Sequence, residues 1–300
     1  MNRHGGILCP VLCALLAAGC AGGQRRIAKA AACVDDSKQR RDNPAISACA
    51  GGLRGADLSA ESLRGYPDGA VDSLFRLLRS ASFYSPDDES LALKVRTVFE
   101  EKARRGRAGP EDAAKTISGL VAARLFSEAS LLKGRFPDAE AVDIPAVIGA
   151  GKTAGQWQVF DISADGGRAD ALTLPLGTGP KVVIVVLPGC GSVVSAIAGV
   201  KRSPGLAETL RANTVVITRS FDPAAVRADK ALFAPIPVYV ARKSGDFPGF
   251  DLTFSPRFYF LLDGKVLYDF KGWSDDNGEV SLGKIRKGLK LIGLGGKDPA

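Results

Sequence analysis

The stretch KVVIVVLPGCGSVVSAIAGV, residues 181–200, decides the fold of the second half of the chain. It begins with an almost unbroken run of valine, isoleucine and leucine, which is typical of a strand buried on both faces. A Pro-Gly turn follows, then Cys190, and then residues that favour a helix. The sequence therefore predicts a cysteine at the point where a helix begins, directly after a buried strand.

The segments around this stretch predict a mixed β-sheet with helices on its faces. The apolar pattern alternates between strand-like and helix-like periods in the order β-β-β-α-β-α-β-β-α. An Asp-Gly pair at 263–264 predicts a tight hairpin between the last two strands. The predicted strands are 156–163, 169–176, 181–187 and 213–220, with two more inside PRFYFLLDGKVLYDFKGW, residues 256–273. The predicted helices are 192–211, interrupted near Pro204, 221–233 and 279–293.

The first half of the chain predicts an all-α bundle, because its apolar residues recur at spacings of three and four. Residues 69–84 place Val71, Leu74, Leu77 and Leu78 on one helix face, and residues 85–106 predict a second helix with Ser85 as its N-cap. The passage LVAARLFSEASLLKGRFPD, residues 120–138, resembles the second half of a tetratricopeptide repeat. Because no fixed repeat period is present, an ordinary helical bundle and a partner-binding concave surface both remain open.

These patterns divide the chain into an export segment, residues 1–20, a helical domain, 21–140, a linker, 141–155, and a mixed-sheet domain, 156–295. The linker contains a Gly-Lys-Thr triplet typical of a phosphate loop, but Ala146 replaces its first glycine and a strand follows. This excludes a nucleotide site. The net charge is +8, without a basic groove interleaved with aromatic residues, so nucleic acid is not an expected partner.

The N-terminus predicts export. An apolar run, residues 7–19, follows Arg3 and is too short to span a bilayer. It ends in LLAAGC, which resembles the lipobox of bacterial lipoproteins and implies a lipid on Cys20. Ala21 lacks the aspartate that retains lipoproteins at the inner membrane, so an outer-membrane anchor facing the periplasm is favoured. A plain secretory signal is the alternative, and both place the chain in an oxidising compartment.

Histidine and methionine are confined to the export segment, as His4 and Met1. A mature chain without these residues has no histidine for Ser-His-Asp or Cys-His catalysis, and no imidazole or thioether to ligate zinc or copper. We therefore expect neither a metal nor another cofactor. The available chemistry is that of thiol, carboxylate, amine, hydroxyl and backbone groups.

Three of the six cysteines remain after Cys9 and Cys13 leave with the signal and Cys20 takes the lipid. Two of them, Cys33 and Cys49, flank the polar run DDSKQRRDNPA, in which Asn43-Pro44 predicts the end of a helix. Two short antiparallel helices joined there predict a structural disulfide. Cys190 is then unpaired, so it is a reactive thiol, half of an intermolecular bond or a buried inert residue.

Two signatures carry a resemblance to the thioredoxin-like superfamily, in particular to its exported, membrane-tethered and peroxiredoxin-like members. One is the strand that delivers Cys190 to a helix start, and the other is PRFYFLLDGKVLYDFKGW, with its proline, paired strands and Gly-Trp ending. The resemblance covers residues 155–293. It implies a thioredoxin-like domain in which Pro256 is the cis-proline that faces the active cysteine.

The site departs from the pattern of that superfamily at several positions. Val193 replaces the second cysteine of Cys-x-x-Cys, Gly189 replaces the tryptophan before the first, and Ile184 replaces a buried acid. The peroxidase signature also fails, because Pro188 lies only two residues before Cys190. The copper-delivering members need a second cysteine and a histidine. The resemblance thus implies a degenerate active site without its resolving thiol.

Two hypotheses about function remain open. In the first, Cys190 and Pro256 carry out single-thiol disulfide exchange or redox sensing on protein partners in the cell envelope. A helix start favours a thiolate, since its backbone N–H groups and dipole stabilise negative charge. In the second, the domain is a redox-inactive scaffold that acts in protein interaction or assembly.

Overall fold

The structure, a computed structural model, describes residues 9–40, 42–149, 155–274 and 278–295, without the side chains of 9–21, 43, 44 and 47. The chain divides into two compact units, Met1–Ala141 and Val142–Ala300. The first is helical and the second contains a mixed sheet, which confirms the predicted fold class.

The first unit is built from α-helices and one short 3-10 turn. In chain order these are α1 Cys9–Gln39, α2 Asn43–Gly51, the 3-10 turn Gly55–Leu58, α3 Ala60–Gly65, α4 Asp68–Tyr84, α5 Glu89–Arg104, α6 Pro110–Ala122 and α7 Phe126–Arg135. The backbone of the predicted signal is helical from residue 9 and continuous with the rest of α1, while the side chain of Cys20 lies outside the described residues. In the part of the chain that is described, no helix is both long and apolar enough to cross a membrane.

The apolar face predicted for α4 lies in the core of this unit. Val71, Leu74, Leu77 and Leu78 are all buried. The predicted cap of α5 is wrong, because the helix begins at Glu89 and the Asp88 carboxylate accepts a hydrogen bond of 2.9 Å from the amide of Leu91. Ser85 instead ends α4, where its amide donates to the carbonyl of Ala81.

The predicted disulfide between Cys33 and Cys49 is present and joins α1 to α2. The two Cα atoms lie 5.7 Å apart. The chain reverses between the helices, and the Asp42 carboxylate accepts from the amide of Ala45 to cap the second one. The pairing leaves Cys190 as the free thiol among the cysteines whose side chains are described.

A partly buried ion cluster at the end of α5 holds α3 in place. The Glu101 carboxylate accepts hydrogen bonds from Arg104, at 2.7 and 2.8 Å, and from Arg105, at 2.6 Å. The Arg105 guanidinium also donates to the carbonyls of Leu63, at 2.6 Å, and Tyr66, at 2.9 Å, which end α3. The two hydrogen bonds from Arg104, followed by the one from Arg105, hold the pKa of Glu101 at about 2, below its ordinary 4.5.

This cluster predicts an acid-sensitive contribution to stability. Because the folded state lowers the pKa of Glu101, its stabilisation is complete above about pH 4.5 and is lost as the pH falls toward 2. We expect Glu101→Gln to lower the free energy of unfolding by about 2 kcal/mol at pH 7, and by much less near pH 2. Urea unfolding followed by circular dichroism measures both values. Glu111→Gln, at an exposed position in the first turn of α6, is the control and should change little. Equal effects of the two substitutions would contradict the role of the cluster.

The second unit contains an eight-stranded mixed sheet in its described residues. The strands are β1 Ala146–Ile148, β2 Gln158–Ile162, β3 Arg168–Thr173, β4 Pro180–Val186, β5 Thr214–Thr218, β6 Val238–Ala241, β7 Arg257–Leu262 and β8 Lys265–Lys271. The helices are α8 Gly191–Lys201, α9 Pro204–Asn213, α10 Pro223–Phe233 and α11 Glu279–Leu291. The order across the sheet is β1-β3-β2-β6-β5-β4-β7-β8. β4 and β6 run parallel to β5, whereas β7 runs antiparallel to β4 and β8.

Two strands of this sheet are missing from the sequence-based prediction. β1 lies inside the segment 141–155, predicted as a linker, and pairs in parallel with β3; residues 150–154 lie outside the described residues. β6 has only four residues, too few for a periodic pattern, yet it joins β5 to β2 in the middle of the sheet.

β6 also decides which face of the sheet the helices cover. The connections from β4 to β5 and from β5 to β6 both move one strand toward the same edge of the sheet. Connections between parallel strands are right-handed, so two that move in the same direction place their helices on the same face. α8, α9 and α10 therefore belong on one face. Buried residues of all four helices accordingly share one core with alternate residues of β4, which corrects the prediction of helices on both faces. The β4 members are Val182, Ile184 and Val186, and the helix members are Val193, Ala196, Leu210, Phe233, Ile285 and Leu289.

The opposite face of β4 is covered by an aromatic loop. Val183 and Val185 share a second core with Phe247 and Leu252, which lie in the connection between β6 and β7. Rings in this connection pack against one another, with the centroids of Phe247 and Phe250 6.1 Å apart. The strand that delivers the cysteine is therefore buried on both faces, as its composition predicts.

Candidate functional site

Cys190 is held at the start of α8 by a turn that follows β4. The turn closes with a hydrogen bond of 3.3 Å from the amide of Cys190 to the carbonyl of Leu187. Cys190 is the N-cap residue, and its carbonyl accepts from the amide of Val193. Gly189 has φ +76°, a left-handed conformation that strains any other side chain. This backbone conformation disfavours the tryptophan that the superfamily often carries there.

The segment before β7 lies against the cysteine. The Cys190 thiol donates to the carbonyl of Ser255 at 3.4 Å, and the Ser255 hydroxyl accepts from the amide of Leu187 at 2.9 Å. The peptide bond between Ser255 and Pro256 is cis. The structure thus brings together Cys190 and Pro256, the two residues predicted for the site, with Ser255 linking them.

Val193 occupies the position of the second cysteine. It lies in the first turn of α8, its amide donates to the carbonyl of Cys190 at 3.0 Å, and its side chain is only 4% exposed. Cys190 itself is half-buried. The site therefore offers one reachable thiol beside an apolar side chain instead of a dithiol.

The Gly-Trp ending of the hairpin has a packing role that the sequence did not reveal. Trp273 lies so close to Gly199 of α8 that a Cβ added to this glycine would overlap the indole ring. The ring also packs on Phe258 of β7, with centroids 6.4 Å apart. Trp273 therefore fixes α8, and with it Cys190, against the antiparallel half of the sheet.

Ser255 and Arg257 complete the site, and sequence reasoning missed both. Arg257 follows Pro256 and donates to the carboxylates of Asp251, at 2.8 Å, and Asp269, at 2.7 Å. These ion pairs hold the segment that precedes β7 against β8, and they thereby position the carbonyl of Ser255. The one sequence signal for a role of these two residues is that they flank Pro256, the predicted cis-proline.

The site offers no ligand set for a metal. Within the described ranges, no group of three or more histidine, cysteine, aspartate or glutamate side chains has metal-binding geometry. The chemistry that the geometry allows at Cys190 is that of a single thiol.

Comparisons with known proteins add one distant similarity. Neither a protein-family model nor a curated protein matches the chain. Among solved structures, the chain is similar to a thioredoxin-like protein from Bacteroides caccae ATCC 43185, at 12% sequence identity and a TM-score of 0.31, over 82% of this chain and 84% of that chain. The thioredoxin-like fold of the second unit is assigned here on its strand order and on the position of Cys190 opposite Ser255 and Pro256.

Proposed function

We propose that this chain is a cell-envelope protein that exchanges disulfides with protein partners through the single thiol of Cys190. The observation that carries the proposal is the position of the sulfur. It lies at the start of α8, against the carbonyl of Ser255 and half-open to solvent.

The exchange conserves electrons between the two proteins. The Cys190 thiolate attacks one sulfur of a partner disulfide, forms a mixed disulfide with it and releases the other partner sulfur as a thiolate. A thiol from outside this chain then attacks the mixed disulfide and restores Cys190. An external thiol is needed because Val193 replaces the resolving cysteine, and because Cys33 and Cys49 are paired with each other.

The envelope location rests on the N-terminal sequence and on the disulfide. The apolar run that ends at Cys20 supports export with a lipid anchor. A structural disulfide is stable in an oxidising compartment such as the periplasm. Anchoring at the outer membrane remains part of the proposal.

Trapping of mixed disulfides tests both parts of this proposal. Cells that express the full chain are quenched with acid, alkylated and fractionated, and complexes are separated without reductant. We expect reductant-sensitive complexes in the membrane fraction, and their complete loss in Cys190→Ser. The double substitution Cys33→Ser and Cys49→Ser is the control and should keep them. Cys20→Ala should abolish incorporation of labelled palmitate into the protein, and labelling that persists in this variant would contradict the lipid anchor.

A redox-inactive scaffold is the second candidate, favoured by the burial of Val193 where the superfamily has its second thiol. It predicts a partner that co-purifies equally with the wild type and with Cys190→Ser. In that case deletion of residues 21–140 should abolish the interaction. Such a result, without any trapped complex, would overturn thiol exchange.

A further inference from the structure

An apolar pocket lies beside the site, between α8, α9 and the end of α10. The pocket is partly enclosed by these elements and opens to solvent on one side. Its floor includes Ile184 of β4 and Phe258 of β7, and its near end is lined by Val193 and Pro256, which flank Cys190. The thiol chemistry proposed above gives this pocket no role.

The lining of the pocket has an unusual polarity. Fourteen of its sixteen lining residues are apolar, and the other two, Lys201 and Arg211, are both cations. Both cations are exposed and stand in the last turns of α8 and α9. Neither takes part in an ion pair within the described residues. The pocket thus combines an apolar interior with two uncompensated positive charges on its wall.

We propose that this pocket binds a single-chain amphiphile with an anionic head, namely a free long-chain carboxylate. The alkyl chain lies among the aliphatic side chains, where each buried methylene strengthens binding. The carboxylate lies at the mouth, where Lys201 and Arg211 donate charge-assisted hydrogen bonds. The charge of the wall selects an anionic head over a cationic or neutral one. This inference is independent of the proposed disulfide exchange.

Calorimetric titration of the purified full chain tests the class of ligand. The probes are octanoate, decanoate, dodecanoate and dodecyltrimethylammonium, all below the concentrations at which they form micelles. We expect the dissociation constant of the carboxylates to fall about fourfold for each added methylene. Dodecyltrimethylammonium has an alkyl chain about one methylene longer and the opposite charge. It should nevertheless bind at least tenfold more weakly than dodecanoate, by the loss of about 1.4 kcal/mol or more.

Four variants locate the binding site. Lys201→Glu combined with Arg211→Glu should weaken dodecanoate about tenfold or more. Its control, Lys290→Glu, reverses a cation in the last turn of α11, outside the pocket, and should leave affinity unchanged. Ala207→Trp should fill the pocket and abolish binding, whereas Ala212→Trp on the same helix lies outside the lining and should not.

The calorimetric titrations overturn the inference if they show equal affinity for the two head charges, no dependence on chain length, unchanged binding in Ala207→Trp, or no binding of dodecanoate by the folded wild type. Circular dichroism of each variant confirms folding, and a variant that unfolds is replaced by Ala207→Phe or by the single charge reversals. Displacement of dodecanoate by an apolar peptide with a free C-terminal carboxylate, at lower concentration than dodecanoate itself, would assign the pocket to a peptide and also overturn it.

Discussion

Val193→Cys is expected to give the site a second thiol and to shorten the life of its mixed disulfides about a hundredfold or more. Val193 follows the N-cap residue Cys190 by three positions, and the hydrogen bond of 3.0 Å between them holds both in one helical turn. A thiol at position 193 is therefore an intramolecular competitor for any partner bound to Cys190. Its effective concentration exceeds that of an external thiol at cellular levels.

Two measurements check this result. The unreduced variant should have an intact mass two hydrogens below that of the same variant after reduction. Alkylation of the unreduced variant should find no free thiol at Cys190. The complexes trapped from cells should decline while the released partner accumulates in reduced form.

Val194→Cys is the matched control. Val194 is the next residue along α8, and its side chain is 53% exposed instead of buried beside Cys190. A thiol there adds the same atoms without entering the site, so it should form no internal disulfide. If both variants keep free thiols and stable complexes, the first turn of α8 does not have the geometry of a redox pair, and the scaffold hypothesis gains support.

Gly288→Ala is expected to lower the free energy of unfolding of the mixed-sheet unit by about 3 kcal/mol. Gly288 lies on the buried face of α11 and touches the ring of Phe260, which is fully buried in β7. A Cβ on this glycine would lie only 2.5 Å from two carbon atoms of the ring. Because the ring is enclosed, α11 must move away from the sheet to accommodate a methyl group.

Gly283→Ala provides an internal control in the same helix. Apart from its chain neighbours and the backbone of its own helix, no atom lies within 4 Å of a Cβ built on Gly283. Alanine there should stabilise the unit by roughly 0.5–1 kcal/mol through its better helix propensity. Chemical denaturation followed by tryptophan fluorescence measures both effects, since both tryptophans, Trp157 and Trp273, belong to this unit. Equal stability of the two variants would show that α11 does not pack on Phe260 as described.

Cys190, its strand and its helix follow directly from the sequence. The apolar run of β4, the Pro-Gly turn and the small residues of α8 are local signals, each decided by neighbours a few positions away. The hairpin of β7 and β8 is equally local, because an Asp-Gly pair selects its turn. The amphipathic face of α4 follows from spacing alone, and the short polar turn between α1 and α2 indicates the disulfide of Cys33 and Cys49.

Only the tertiary structure decided the rest, since it depends on partners distant in sequence. β6, with four residues, is too short for a periodic apolar pattern and forms because β5 and β2 supply its hydrogen bonds. Its insertion next to β5 keeps α10 on the same face of the sheet as α8 and α9. Ser255 lies sixty-five residues from Cys190, so no local signal links them. Lys201 and Arg211 end different helices, and only the packing of those helices sets both cations on one apolar pocket.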